Sequence, residues 1–199
     1  MARRKDHTPE ELKQLIIQEA ENIIYTKGLN KLTARALANA VGYTPGTIYN
    51  FYKDMDAVIQ DINYETLGRL HSLCLEKIKD LPLKIAKIKA LAYAYVDFAH
   101  HNARAWEALF ATTRKDEKRG RLPKQYQQRL AQLFQIIEDT LRECFVISDD
   151  EAAKTARLLW ACLHGITVLT LDGRLQLIGV DEPHQMIDVL LQRYLAVYL

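Results

Sequence analysis

The stretch TARALANAVGYTPGTIYNFYK, residues 33–53, decides the fold. Two short helices can be drawn through it. Thr33 offers a hydroxyl to cap the first, and Gly42 can take the left-handed conformation that ends it. Thr44 stands at the cap of the second, with Pro45 at the first helical position, where a missing N–H costs nothing. Leu37 and Val41 make the apolar side of the first helix; Ile48 and Tyr52, four apart, make that of the second. The short turn between them contains a glycine, which is the layout of a helix-turn-helix. Thr44, Gly46, Thr47, Tyr49, Asn50 and Phe51 are left on the outward face of the second helix. Hydroxyls, an amide and a bare backbone position suit close approach to phosphates and base edges. The plainer alternative is a pair of short helices that meet at a tight turn.

Upstream, Thr8-Pro9-Glu10-Glu11 has capping-box spacing with proline at the first helical position. Leu12, Ile16, Ala20 and Ile24 then recur every four residues until Lys27-Gly28 ends the helix. This face should support the helix-turn-helix from behind. Ahead of it, Met1–His7 is a short basic arm with Arg3, Arg4 and Lys5, either a solvated terminus or a contact to DNA backbone or minor groove. Downstream, Asp54 caps a long helix with Met55, Val58, Ile59, Ile62, Leu67, Leu70 and Leu73 inward, so no flexible linker follows.

Leu81-Pro82 breaks the pattern, and a helix containing Ile85 to Ala99 follows. Asn102 is read as the cap of a short helix with Trp106, Leu109 and Phe110, and the charged run Thr112–Leu122 as a surface loop. Pro123 opens a helix from Tyr126 to Leu141. Ser148 and Glu151 box the start of an apolar helix that Asp172-Gly173 ends, and Pro183 opens the last one. The expectation is an all-α chain of about nine helices: a three-helix DNA-binding domain over 1–53, joined by a long helix to a larger helical domain over 54–199.

The 199 residues are 49% hydrophobic and 26% charged, with 8 glycines and 5 prolines, which disfavours a loop-rich β fold. Net charge is +2, but residues 1–53 hold eight Lys or Arg against five Asp or Glu, so +3 lies there and −1 in the remainder. Cys74, Cys144 and Cys162 form no paired motif and suggest a reducing compartment. With no signal run and no apolar span, a soluble cytoplasmic protein is expected.

Catalytic signatures are missing: no nucleophile elbow, phosphate loop, or acid/base pair is legible, so an enzyme is disfavoured. A helical interaction module without DNA binding remains the other rival. His100 and His101 are neighbours that cannot point the same way from a helix, and with His164 they suggest no metal set. No cofactor is expected.

The stretch 33–54 resembles the DNA-binding domain of the TetR family of bacterial transcriptional regulators, whose pattern runs roughly Ala-x-x-x-Gly-Val-Ser-x-Gly-Thr-Leu-Tyr-x-x-Phe-x-x-Lys. Ala38, Gly42, Gly46, Thr47, Ile48 and Tyr49 match, and Tyr52 takes the Phe place. Met55 stands where the family usually has a phosphate-reaching lysine, with Lys53 as the nearest substitute. Trp160, His164 and Gly165 look like the Trp…His-Gly signature of one C-terminal subgroup.

The resemblance implies a homodimeric repressor that reads a palindromic double-stranded DNA operator and is released by a small-molecule effector. Tyr49 and Thr47 would contact phosphate, helped by Thr33 and Thr44 at helix N-termini and by Arg35 and Lys53. Asn50 has the amide to pair with an adenine edge, and Thr44, Pro45 and Gly46 would meet base edges. Tyr43 and Phe51, bulkier than usual, complete the DNA-binding set. Tyr93, Tyr95, Phe98, Trp106, Phe110, Phe134, Trp160 and His164 are the candidates to line an effector cavity, each with core packing as its alternative. The last two helices are expected to form the dimer interface.

Overall fold

The computed structural model describes residues 7–82, 84–117 and 123–198, with backbone alone over 112–117. Among these residues there are ten α-helices and no strand. The basic residues Arg3, Arg4 and Lys5 lie outside the described residues.

Local chemistry sets the helix ends. Helix α1 (Pro9–Lys27) begins with a complete capping box. The Thr8 N–H donates to Glu11 at 2.7 Å, and the Glu11 N–H donates to the Thr8 hydroxyl at 3.2 Å. Bonding to the Thr8 backbone, then to its hydroxyl, holds the Glu11 carboxyl below its ordinary pKa. A 3₁₀ turn, Leu29–Lys31, leads to α2 (Ala34–Val41), where Thr33 accepts from the Ala36 N–H at 3.1 Å. Gly42 ends α2 in the left-handed region at φ 76°. Helix α3 (Pro45–Phe51) follows, then α4 (Met55–Ile78), whose Ala57 N–H is capped by Asp54 at 2.8 Å.

Next come α5 (Lys84–His101), α6 (Ala103–Glu117), α7 (Lys124–Cys144) and α8 (Asp149–Leu171). Two readings of this part change. The run from Thr112 was expected to be loop, but α6 continues to Glu117; the rest of that expected loop, 118–122, lies outside the described residues. Asn102 was expected to open α6. Its amide instead donates back to the Phe98 carbonyl at 2.8 Å and closes α5. The additional helix is α9 (Arg174–Leu177), four residues that begin after Gly173 and are anchored by the buried Leu175. Helix α10 (Pro183–Leu195) and a closing 3₁₀ turn, Ala196–Tyr198, complete the chain.

The chain forms two compact units. The first comprises the described residues of Met1–Thr66 and Arg104–Tyr126. Its core joins Ile16, Ala20 and Ile24 of α1, Leu37 and Val41 of α2, Ile48 of α3, and Val58 and Ile62 of α4. This compact unit runs past residue 53, because Val58, Ile59 and Ile62 belong to the same core, which Ala108 of α6 also enters. Asn63, 2% exposed, donates its amide to the Ala108 carbonyl at 3.2 Å. This satisfies a buried polar group that would otherwise cost about 1–3 kcal/mol.

The second unit comprises Leu67–Ala103 and Gln127–Leu199. Ile88, Ala92 and Val96 of α5 pack with Leu141 of α7, Ala156, Leu159 and Leu163 of α8, and Ile187 and Leu191 of α10. Polar links rim this core. The Lys87 ammonium meets Glu143 at 2.7 Å, and Asp188 of α10 receives both Lys89, at 2.7 Å, and the Tyr93 hydroxyl, at 2.9 Å. Among the described residues no helix is long and apolar enough to cross a membrane.

At Gly42, an added Cβ would meet nothing within 4 Å, so substitution is penalised by backbone conformation alone. Gly42→Ala should lower unfolding stability by about 1–2 kcal/mol in urea titrations. Gly42→Asn should lose less, because asparagine tolerates the left-handed region.

Candidate functional site

Helix α3 is seven residues long, and its surface divides sharply. Ile48 has no exposed surface and Tyr52, at its C-cap, is 5% exposed. Gly46 and Asn50 lie opposite, both exposed, flanked by Thr47 and by Tyr49, which is 51% exposed. Thr44, Pro45 and Lys53 are exposed at its two ends, as are Thr33 and Arg35 at the start of α2. The expected DNA-facing residues are therefore exposed or half-buried, with two that also pack on the core. Phe51 is half-buried and packs on the core beneath it. Tyr43 does likewise, with its hydroxyl 3.1 Å from Nδ1 of His7.

The cap expected at Thr44 takes a different form. Its hydroxyl makes no bond to a helix N–H and lies 3.2 Å from the Thr47 hydroxyl. Its carbonyl accepts from the Thr47 N–H at 2.9 Å. Gly46 is equally informative. Its φ is not positive, and an added Cβ would meet only the Thr44 hydroxyl oxygen, at 3.8 Å. The fold does not require glycine there, although glycine inside a helix costs about 0.5–1 kcal/mol relative to alanine. It leaves a bare backbone position on the exposed face of α3.

In the second unit, four of the eight proposed cavity residues form one cluster. The Tyr95 hydroxyl lies 3.1 Å from Nδ1 of His164, and its oxygen accepts from the Trp160 indole N–H. The Trp160 and His164 rings stack with centroids 5.3 Å apart and planes 16° from parallel. Phe134 meets Trp160 edge-on at 5.8 Å. Arg157 covers Phe134 at 5.1 Å and pairs with Glu138 at 2.8 Å. The sequence reading passed over Arg157 and Glu138. Arg157, Trp160 and His164 nevertheless fall on one stripe of α8, a signal available from spacing alone.

The other four candidates are placed differently. Phe98 is 7% exposed, and the Tyr93 hydroxyl is engaged by Asp188 while its ring packs on His184 at 4.2 Å. Trp106 and Phe110, 5.0 Å apart, belong to the first unit. Among the described residues no group of three or more His, Cys, Asp and Glu could hold a metal ion.

Burial lowers the pKa of His164 and so favours its neutral form beside Tyr95, whose phenol burial pushes upward. His71 is also lowered, by burial first and by the Arg129 charge second. An unfolded chain takes up these protons nearer the ordinary value of about 6.5. It therefore binds more protons than the folded protein once pH falls below that value. The urea midpoint should drop between pH 7.5 and pH 5.5, and His164→Gln should reduce that drop.

Two family models match the chain: "Bacterial regulatory proteins, tetR family" over residues 16–62, and "Tetracyclin repressor-like, C-terminal domain" over 88–194. The second span includes Trp160, His164 and Gly165. The chain is 26% identical over 156 residues to the uncharacterized HTH-type transcriptional regulator YobS of Bacillus subtilis (strain 168), covering 78% of this chain and 77% of that one. Its fold is similar to that of a protein of unknown function from Rhodococcus sp. RHA1, with a TM-score of 0.78, 18% identity and 99% of both chains covered. The fatty acid degradation regulator FadR of Bacillus halodurans follows the same fold at a TM-score of 0.66 and 14% identity, over 94% of this chain and 95% of that one. With family models matching both halves, the chain belongs to the TetR family of transcriptional regulators, DNA-binding proteins and not enzymes.

Proposed function

We propose that this regulator is a repressor that binds a palindromic operator as a homodimer in the bacterial cytoplasm and leaves it when a small molecule binds. Residues 1–53 read the DNA, and the part from 54 onward receives the effector and the second copy. The observation that carries the DNA contact is the exposed face of α3, with Gly46 bare although the fold does not demand it. Asn50 reads a base edge beside it. Thr47, Tyr49, Arg35 and Lys53 bind phosphate, with Thr33 and Thr44 at helix starts. Tyr43 and Phe51 shape the rim of this surface from their half-buried positions.

Dimerisation is supported by apolar side chains left exposed in the second unit. On α8, Leu158, Val168 and Leu169 stand in water beside Ala161 and Gly165, where an added Cβ would meet nothing within 4 Å. On α10, Val189 is 57% exposed. The α8 residues 158, 161, 165 and 168 form one helical stripe, suited to close approach of a second copy. Effector binding is supported by the cluster of Tyr95, Phe134, Trp160 and His164, which pairs flat aromatic surface with a hydroxyl and a neutral imidazole. An effector acts by binding the DNA-releasing conformation more tightly than the DNA-bound one.

Selection from a random duplex library should yield a palindromic sequence bound below micromolar, and failure to enrich any duplex overturns the reading. Gly46→Ala should stabilise the protein by about 0.5–1 kcal/mol while weakening binding to the selected duplex. Asn50→Ala should cost about 1–3 kcal/mol and relax preference at one base pair, whereas Tyr49→Phe should weaken all duplexes alike. In sedimentation, Val189→Glu should shift the protein from dimer to monomer.

A further inference from the structure

We infer that Tyr52, Asp61 and Lys13 form a latch that fixes the rotational setting of the reading helix, making Tyr52 a positioning residue for sequence discrimination. This rests on the operator-binding reading above.

The Tyr52 ring is buried at the C-cap of α3, and its hydroxyl donates to Oδ2 of Asp61 on α4 at 3.0 Å. The same oxygen lies 3.3 Å from the Lys13 ammonium on α1, which also sits 5.8 Å from the centre of the Tyr52 ring. Burial first, and the Asp61 charge second, raise the Tyr52 pKa, so the phenol keeps its proton and remains a donor. One phenol thus ties the end of α3 to a carboxylate shared with the first helix.

Ile48 within α3 and Tyr52 at its C-cap are buried, and Phe51 packs on the same core from a half-buried position. Apolar burial is non-directional, so it sets how deeply α3 sits but constrains rotation about its axis weakly. A hydrogen bond to a charged acceptor is directional and stronger than a neutral one. Rotation matters because Asn50 projects from the opposite side and Tyr49 from the flank. Productive contact geometry tolerates only about 10–20° of misorientation. The phenylalanine that the family pattern places at this position would fill the same space without the tie.

The test uses the duplex selected above and a scrambled duplex, in fluorescence anisotropy across a salt series. Tyr52→Phe keeps the ring and removes the hydroxyl. Affinity for the selected duplex should fall about tenfold, that of a charge-assisted hydrogen bond. Scrambled-duplex affinity and the salt slope should stay unchanged, because Tyr52 releases no counterion. Asp61→Asn should give a smaller loss of the same kind, and the double variant should lose no more than Tyr52→Phe alone. Unchanged affinity for the selected duplex overturns the latch. So does equal loss on both duplexes, which marks a purely structural hydroxyl, or full additivity in the double variant. Failure to select any duplex would instead overturn the operator reading.

Discussion

Helix α3 spans two turns, far below the length at which a helix holds itself together in water, so its existence depends on tertiary burial. Ile48 supplies that burial from the middle of the helix and Tyr52 from its end. The core they enter is built before them in the chain, by the four-residue spacing on α1 and by Leu37 and Val41 on α2. It is completed after them by Val58 and Ile62 on α4 and by Ala108 on α6. The first unit is therefore an arrangement that presents one short helix, and the sharp division of α3 into inward and outward residues follows from it.

The second unit solves a different problem. Beyond its apolar core, α5 and α10 are joined by Lys89, Tyr93 and Asp188. These groups are partly solvated, so their contribution to stability is modest. Their value lies in geometry, because directional bonds select one packing of two smooth apolar faces. The Tyr95–His164–Trp160 cluster adds half-buried polarity, where desolvation disfavours the charged form of His164.

Much of this was legible from residues 1–199 before any coordinates. Helix starts at Thr8, Thr33 and Ser148, and helix ends at Gly28 and Gly42, were readable because capping is local chemistry within four residues. The apolar faces followed from periodicity. Three things were not. Helix α9 is shorter than any period, and α6 continued through a charged run that looks like loop because a solvated helix face and a loop share composition. The reach of the first core to Thr66, and with it the separation of Trp106 and Phe110 from the other aromatics, depends on which helices meet, which spacing does not encode. In the candidate site, the exposed set on α3 was readable from its turn chemistry. The Tyr52–Asp61 bond was not, since nothing in a sequence says which carboxylate a buried phenol finds.

The bare face of α3 has a consequence for how such a protein changes over generations. Folding consumes Ile48, Tyr52 and part of Phe51, while Thr44, Gly46, Tyr49 and Asn50 stand exposed. Exposed substitutions away from special backbone positions usually alter stability by less than about 0.5 kcal/mol. On the operator-binding reading, the residues that would face a partner are thus mostly distinct from those that hold the helix to its core, with Tyr52 serving both. On that reading, the scaffold could be retargeted by drift or by design at Thr44, Tyr49 and Asn50 with little change to its core.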